Sequence, residues 1–300
     1  MAVSTAGAAT FRRAQATGHH ARLAPSFVSC KAFKKLENVM TKLSTIRRIT
    51  AATAISASLV FTSMSLADDS KTITTTATDG ITVYGEQYFA ELDNKTPLIL
   101  LFHQAGSNGR GEYAELIPWL NENGFRVIAW DQRAGGSRFG DDNRTVADLP
   151  EGTAISYCDA RPDLQAGLDY AINGKLAEQV IVWGSSYSAA LVFGLAADNQ
   201  DEVAGVLSFS PATGGAMADC RASRWINDVD GMMIHVGRPA SEMARESSIT
   251  QKVMFNDRSI KVRVIENGVH GSSMLVDSRT EHDMTDARKQ VLQVLNYMAW

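Results

Sequence analysis

The sequence predicts an α/β fold: a mostly parallel central sheet with helices on both faces, opened by an antiparallel hairpin. Three observations carry this. From residue 71 to the end, β-branched apolar runs alternate with helix-like stretches, which calls for a largely parallel sheet covered by helices. Residues 98–102 (Leu-Ile-Leu-Leu-Phe) are apolar without interruption, as suits a strand buried on both faces. Residues 180–183 form a buried strand that stops at Gly184 and passes into a small, aliphatic stretch, giving strand, sharp turn and buried helix.

Taken in order, residues 71–78 and 81–89 are rich in Thr, Val, Ile and Tyr around Asp79-Gly80, which predicts the opening hairpin. The strand at 98–102 follows. Residues 112–123 are amphipathic, with Tyr113, Leu116, Ile117 and Leu120 on one side and Gly124 as the stop, and predict a helix. Residues 126–130 give a strand, and 163–172 a helix preceded by Pro162. After the strand and helix around Ser186 comes a strand at 203–209. Strands at 232–236 and 260–265 are separated by a helical stretch within 241–254. A last helix covers 286–298, with Val291, Leu292, Val294 and Leu295. The excursion 210–231 is too short for a large helical lid, so the lid is short or absent and the pocket open, with Trp225 and Met217 as candidate lining. Residues 68–300 show no internal repeat or low-complexity segment.

Charge divides the 300-residue chain. Residues 1–67 hold nine of its 29 basic residues but one of its 33 acidic ones, Glu37, which leaves net −12 beyond them. An acidic body argues against a nucleic-acid partner, which needs a basic patch. From Met40, the basic residues Lys42, Arg47 and Arg48 precede an uncharged apolar run, 49–64. Ser65-Leu66-Ala67 then offers small residues at the −3 and −1 positions before Asp68. Those are the three parts of a secretory signal peptide over 40–67, with cleavage expected after Ala67. The apolar run falls short of the roughly 20 residues that span a bilayer, although an uncleaved anchor is the alternative reading. Residues 1–39 read as an upstream extension with no role, or as a basic presequence carrying Arg12, Arg13 and Arg22. The expectation is an exported domain, 68–300, periplasmic or secreted, without stable membrane insertion after cleavage. Its two cysteines, Cys158 and Cys220, are expected to pair in an oxidising compartment, the alternative being two buried thiols.

In open α/β sheets, ligands bind beyond the carboxyl ends of the strands. Here those ends read His103-Gln104-Ala105-Gly106-Ser107, Asp131-Gln132-Arg133-Ala134-Gly135-Gly136-Ser137, Gly184-Ser185-Ser186-Tyr187-Ser188, residues 237–242, and Gly268-Val269-His270-Gly271. The third is a Gly-x-Ser-x-Gly elbow with serine in place of the second glycine. With Ser186 as nucleophile, the positions two before and two after are the small Gly184 and Ser188. With Ser185 they would be Trp183 and Tyr187, too bulky for the turn. Four of these, around His103, Asp131, Ser186 and His270, in this order resemble an α/β-hydrolase over residues 71–300, closest to the dienelactone-hydrolase-like and prolyl-oligopeptidase-like serine hydrolases. Gln104 and Ser188 depart from the glycines usual in that superfamily.

A serine hydroxyl attacks well only beside a base. His19 and His20 lie in the leader. His103 reads as a brace for its loop, His235 as a satisfied core residue within a strand, and His282 as part of a charged surface. His270 is the candidate base. The resemblance implies the chain order Ser, acid, His. The first carboxylate after the strand 232–236 is Glu242, whose other reading is a helix N-terminal acid. Asp277 is its competitor, and Asp230 falls at the wrong end of the sheet. The resemblance also implies an oxyanion hole from the backbone N–H groups of Tyr187 and Ala105, with Gln104 as neighbour. No phosphate cradle, metal-ligand spacing or dinucleotide fingerprint occurs, so neither cofactor nor metal is expected. The expected function is a serine hydrolase that cleaves small-molecule carboxylic esters through an acyl-enzyme. The alternatives are a peptidase or amidase of the prolyl-oligopeptidase type and a catalytically silent binding module. Nothing in the sequence selects an oligomeric state.

Overall fold

The computed structural model describes residues 70–89, 95–229, 231–243 and 260–299. The extension expected over 1–39, the signal peptide expected over 40–67, Asp230 and most of the helical stretch expected within 241–254 lie outside the described residues.

Eight strands form one sheet in the order β1-β2-β4-β3-β5-β6-β7-β8. β1 (Ser70–Thr76) and β2 (Thr82–Tyr88) make the antiparallel hairpin, and β2 runs antiparallel to β4 (Arg126–Asp131). From β4 onward every neighbour is parallel: β3 (Leu98–Phe102), β5 (Val180–Ser185), β6 (Val203–Phe209), β7 (Met233–Pro239) and β8 (Ile260–Ile265). The strands β3, β4 and β5 are buried at every position. The alternation of side chains then splits the core in two. Leu98, Leu100 and Phe102 face one side, with α4 (Arg161–Asn173) and α5 (Tyr187–Asp198). Ile99 and Leu101 face the other, with α1 (Gly109–Tyr113), α2 (Leu116–Glu122) and α8 (Thr285–Ala299). The short helices α3 (Arg144–Ala147), α6 (Ala240–Met243) and α7 (Asp277–Thr280) edge the sheet. Among the described residues, no helix is long and apolar enough to cross a membrane.

Two elements differ from the sequence reading. The single helix expected over 112–123 is two helices, α1 and α2. Proline lacks an N–H, and its ring clashes with the carbonyl four residues back, so Pro118 blocks a helix running through Ala114 and instead sits in the first turn of α2. α1 also begins earlier, because the Asn108 side chain accepts the Gly111 N–H at 2.7 Å as an N-cap. The strand expected over 232–236 continues to Pro239, drawn out by pairing with β8 as far as Pro239 opposite Ile265.

Among the described residues, the excursion between β6 and β7 contains two 3₁₀ turns, Gly215–Met217 and Ala222–Arg224. Cys220 in this segment is bonded to Cys158, with Cα atoms 5.5 Å apart. Met217 and Trp225 serve packing here, not a pocket. Met217 is buried in the core. Trp225 lies so close to α5 that a Cβ on Gly194 would sit 2.9 Å from its ring, and the Arg161 guanidinium covers it at 5.0 Å.

Candidate active site

The carboxyl ends of β3, β5, β6, β7 and β8 converge around Ser186. The turn there is tight: a Cβ on Gly184 would lie 2.5 Å from the Ser188 carbonyl oxygen, so only glycine fits. Ser186 takes φ 61° and ψ −115°. Its N–H donates to the Phe209 carbonyl at 2.9 Å, and its carbonyl accepts the Ala212 N–H at 3.0 Å. Ser188, which replaces the second glycine of the motif, fits because its side chain has partners: the hydroxyl accepts the Ser185 N–H at 2.9 Å and donates to the Phe102 carbonyl at 2.7 Å. This pins the turn to the end of β3.

His270 follows β8 and reaches two groups. Its Nε2 lies 2.8 Å from Ser186 Oγ, and its Nδ1 lies 2.5 Å from Glu242 Oε1. A carboxylate only accepts, so Nδ1 carries the proton and Nε2 is left to accept the serine hydroxyl. Glu242 stands on α6, directly after β7, where the extended strand delivers it. Burial pushes its carboxyl up, but the hydrogen bonds from His270 and Ser210 and the charges of His270 and Arg238 outweigh burial and hold it below its ordinary value. The Ser210 hydroxyl accepts the Gly271 N–H at 3.1 Å. Arg238 is fully buried, 3.8 Å from Glu242 Oε2, and donates to the Pro211 carbonyl at 3.0 Å. Sequence reasoning missed both residues; their place at or one step beyond the ends of β6 and β7 was the available signal.

Asp277 does not meet His270. It pairs with Arg288, at 2.8 and 3.0 Å, and accepts the Met284 N–H at 2.7 Å, joining α7 to α8. His103 is fully buried: its Nδ1 donates to the Gln104 carbonyl at 2.8 Å, and its Nε2 accepts the Gln132 N–H at 2.8 Å. His235 differs from the satisfied core residue expected. It is buried, yet among the described residues neither ring nitrogen has a hydrogen-bond partner. His282 is exposed.

Around the serine, the N–H groups of Ala105 and Tyr187 have no acceptor among the described residues. The Gln104 N–H is taken, since it donates to Glu112 Oε2 at 2.6 Å. The largest described cavity, about 580 Å³, lies elsewhere, at the amino-terminal ends of the strands beside Pro97, Gln179 and Met298. Among the described residues, no cluster of His, Cys, Asp or Glu is arranged to hold a metal ion.

Known proteins bear on this arrangement. Residues 93–287 match the family model described as serine aminopeptidase, S33. Among solved structures, the esterase Pf2001 of Pyrococcus furiosus superposes with TM-score 0.59 at 14% identity, over 85% of this chain and 99% of that one. A dienelactone hydrolase from Anabaena variabilis gives 0.56 at 12%, over 76% and 97%. XC6422 from Xanthomonas campestris, described as an α/β serine hydrolase without lid, gives 0.54 at 13%, over 77% and 95%. At these identities the likeness is one of fold. No curated protein matches the chain in sequence.

Proposed function

The chain belongs to the family described as serine aminopeptidase, S33, within the α/β-hydrolases, and on that premise we propose that it cleaves carboxylic esters through an acyl-enzyme formed on Ser186. The observation that carries this reading is the continuous chain from Ser186 Oγ through His270 to Glu242, at 2.8 and 2.5 Å. His270 Nε2 takes the serine proton as Oγ attacks the ester carbonyl. The oxyanion rests on the N–H groups of Tyr187 and Ala105. His270 then returns the proton to the leaving alcohol, and water repeats the sequence to release the acid. Glu242 keeps the Nδ1–H tautomer throughout and stabilises the imidazolium. A small or flexible ester suits the short, disulfide-pinned segment above the site, in keeping with the lidless structural neighbour.

A fluorophosphonate probe tests the reading directly. The protein is expected to be labelled at Ser186 and Ser186→Ala to remain unlabelled; labelling that survives in Ser186→Ala rejects the assignment. The family description favours one second reading, hydrolysis of peptides from the amino end. Aminoacyl anilides run beside short and long acyl esters decide between the two, and the ester reading expects the higher kcat/KM on the esters.

The domain is also proposed to be exported by the signal peptide 40–67, a reading supported by the Cys158–Cys220 bond, since disulfides persist in oxidising compartments. The exported protein is then expected to begin at Asp68 on N-terminal sequencing, and a mature chain that retains any of residues 1–39 overturns it.

A further inference from the structure

Glu112 is a carboxylate that the proposed chemistry does not use. It stands on α1 with no exposed surface. Its Oε2 accepts the Gln104 N–H at 2.6 Å and its Oε1 the Gln104 side-chain amide at 3.2 Å. The Ser185 side chain lies beside it and favours its charged form. Burial pushes the carboxyl up from its ordinary value, against the pull of Ser185, Gln104 and Arg279, so the fold keeps an acid that is costly to hold ionised.

The position of those partners suggests why. Gln104 adjoins Ala105, and Ser185 adjoins Ser186. Ser185 Oγ in turn accepts the Ser272 N–H at 2.9 Å, two residues beyond His270. The His270 loop is seated on the same spot: a Cβ at Gly271, where φ is +71°, would fall 2.5 Å from Ser185 Oγ and 3.3 Å from Gln104 Nε2. A single side chain therefore holds the residue next to the oxyanion donor, and that residue in turn lies against the loop of the base.

We propose that Glu112 is a positioning residue for catalysis, whose acceptor oxygens hold the Gln104–Ala105 turn, and with it the Ala105 N–H, in register with Ser186 and His270. The proposal rests on the ester-hydrolase reading of that site. Loss of an oxyanion donor costs about 10²–10³ in kcat, and a displaced donor is expected to cost roughly 10–100-fold. Acceptor oxygens, and not bulk, are what the position supplies.

The test is hydrolysis of a p-nitrophenyl ester by the full-length protein and its variants, each checked for folding by circular dichroism. Glu112→Leu keeps the volume and removes the acceptors; its kcat is expected to fall roughly 10–100-fold with KM within about threefold of wild type. Glu112→Gln still offers an oxygen to the Gln104 N–H and is expected to keep kcat within about threefold. A role in packing alone would leave the two variants alike. A folded Leu variant with wild-type kcat, or a Gln variant as slow as Leu, overturns the proposal. If the Leu variant does not fold, Glu112→Asp takes its place, because it withdraws the carboxylate by one methylene. Its oxoester-to-thionoester rate ratio is expected to drop, since sulfur is a weak acceptor and the ratio reads the oxyanion donors; an unchanged ratio rejects the proposal. Ser186→Ala in the same assay keeps the two failures apart. If it hydrolyses the ester normally, the nucleophile assignment falls. If it is inactive while Glu112→Leu is unaffected, only the inference about Glu112 falls.

Discussion

His103 and His270 stand beyond the carboxyl ends of strands in the same sheet, and both are held as the Nδ1–H tautomer. For His103 the lock is a backbone carbonyl, and for His270 it is the Glu242 carboxylate. The difference lies at Nε2. In His103 that nitrogen faces the Gln132 N–H, a donor that never gives up its proton. In His270 it faces a serine hydroxyl, which can. Burial pushes His103 below its ordinary range, against the pull of Asp131, and no solvent reaches it, whereas about half of the His270 side chain is exposed. A histidine at the end of a strand becomes a base through the proton it faces, not through its place in the sheet.

The sharpest way to break this contrast is to remove each ring. His270→Ala and Ser186→Ala are each expected to lower kcat by most of the roughly 10⁶-fold such triads supply, with the double variant hardly worse. Multiplying losses in the double variant would show that the two do not act as one unit. Glu242→Gln is expected to cost about 10⁴-fold, because the ring can then settle in the wrong tautomer. Asp277→Asn in the same assay is expected to stay within a few-fold of wild type, since its partners are Arg288 and Met284. The reverse outcome would hand the acid's role to Asp277.

The buried ring is expected to act on stability instead. His103→Ala leaves the Gln132 N–H without its acceptor, at a cost of about 1–3 kcal/mol for that group alone. Chemical denaturation measures it, and an unchanged midpoint would contradict a bracing role. A further effect on stability concerns pH. Burial, then the charge of Arg263, lowers His235 to about 4. The unfolded chain accepts a proton there below about pH 6.5 that the folded chain refuses, so stability falls as pH drops through that window, by roughly 3 kcal/mol at pH 4. His235→Phe is expected to flatten the acid limb of the stability curve. Parallel curves for wild type and variant would show that His235 contributes nothing to it.

Most of the fold was legible because buried parallel strands are written in the sequence as apolar runs, and Leu98–Phe102 and Val180–Ser185 are such runs. The elbow frame was legible from size alone, through Gly184 and Ser188. The split at Pro118 was present in the sequence but hidden by a continuous amphipathic pattern. The roles of Ser210 and Arg238 were marked only by their place near strand ends, and that of Glu112 by nothing local, because their partners come from other strands and loops. The engagement of the Gln104 N–H by Glu112 was hidden for the same reason.

The backbone of Ser186, at φ 61° and ψ −115°, has a consequence for how this protein can be improved. An L-residue in such a region costs of order 1–3 kcal/mol, and glycine carries no such penalty. Ser186→Gly is thus expected to melt higher than wild type while hydrolysing nothing. Selection for thermal tolerance alone, without a screen for turnover, would therefore be drawn toward discarding the proposed nucleophile. Durable variants of this enzyme have to be sought away from the elbow, among surface and loop positions where the backbone is already relaxed.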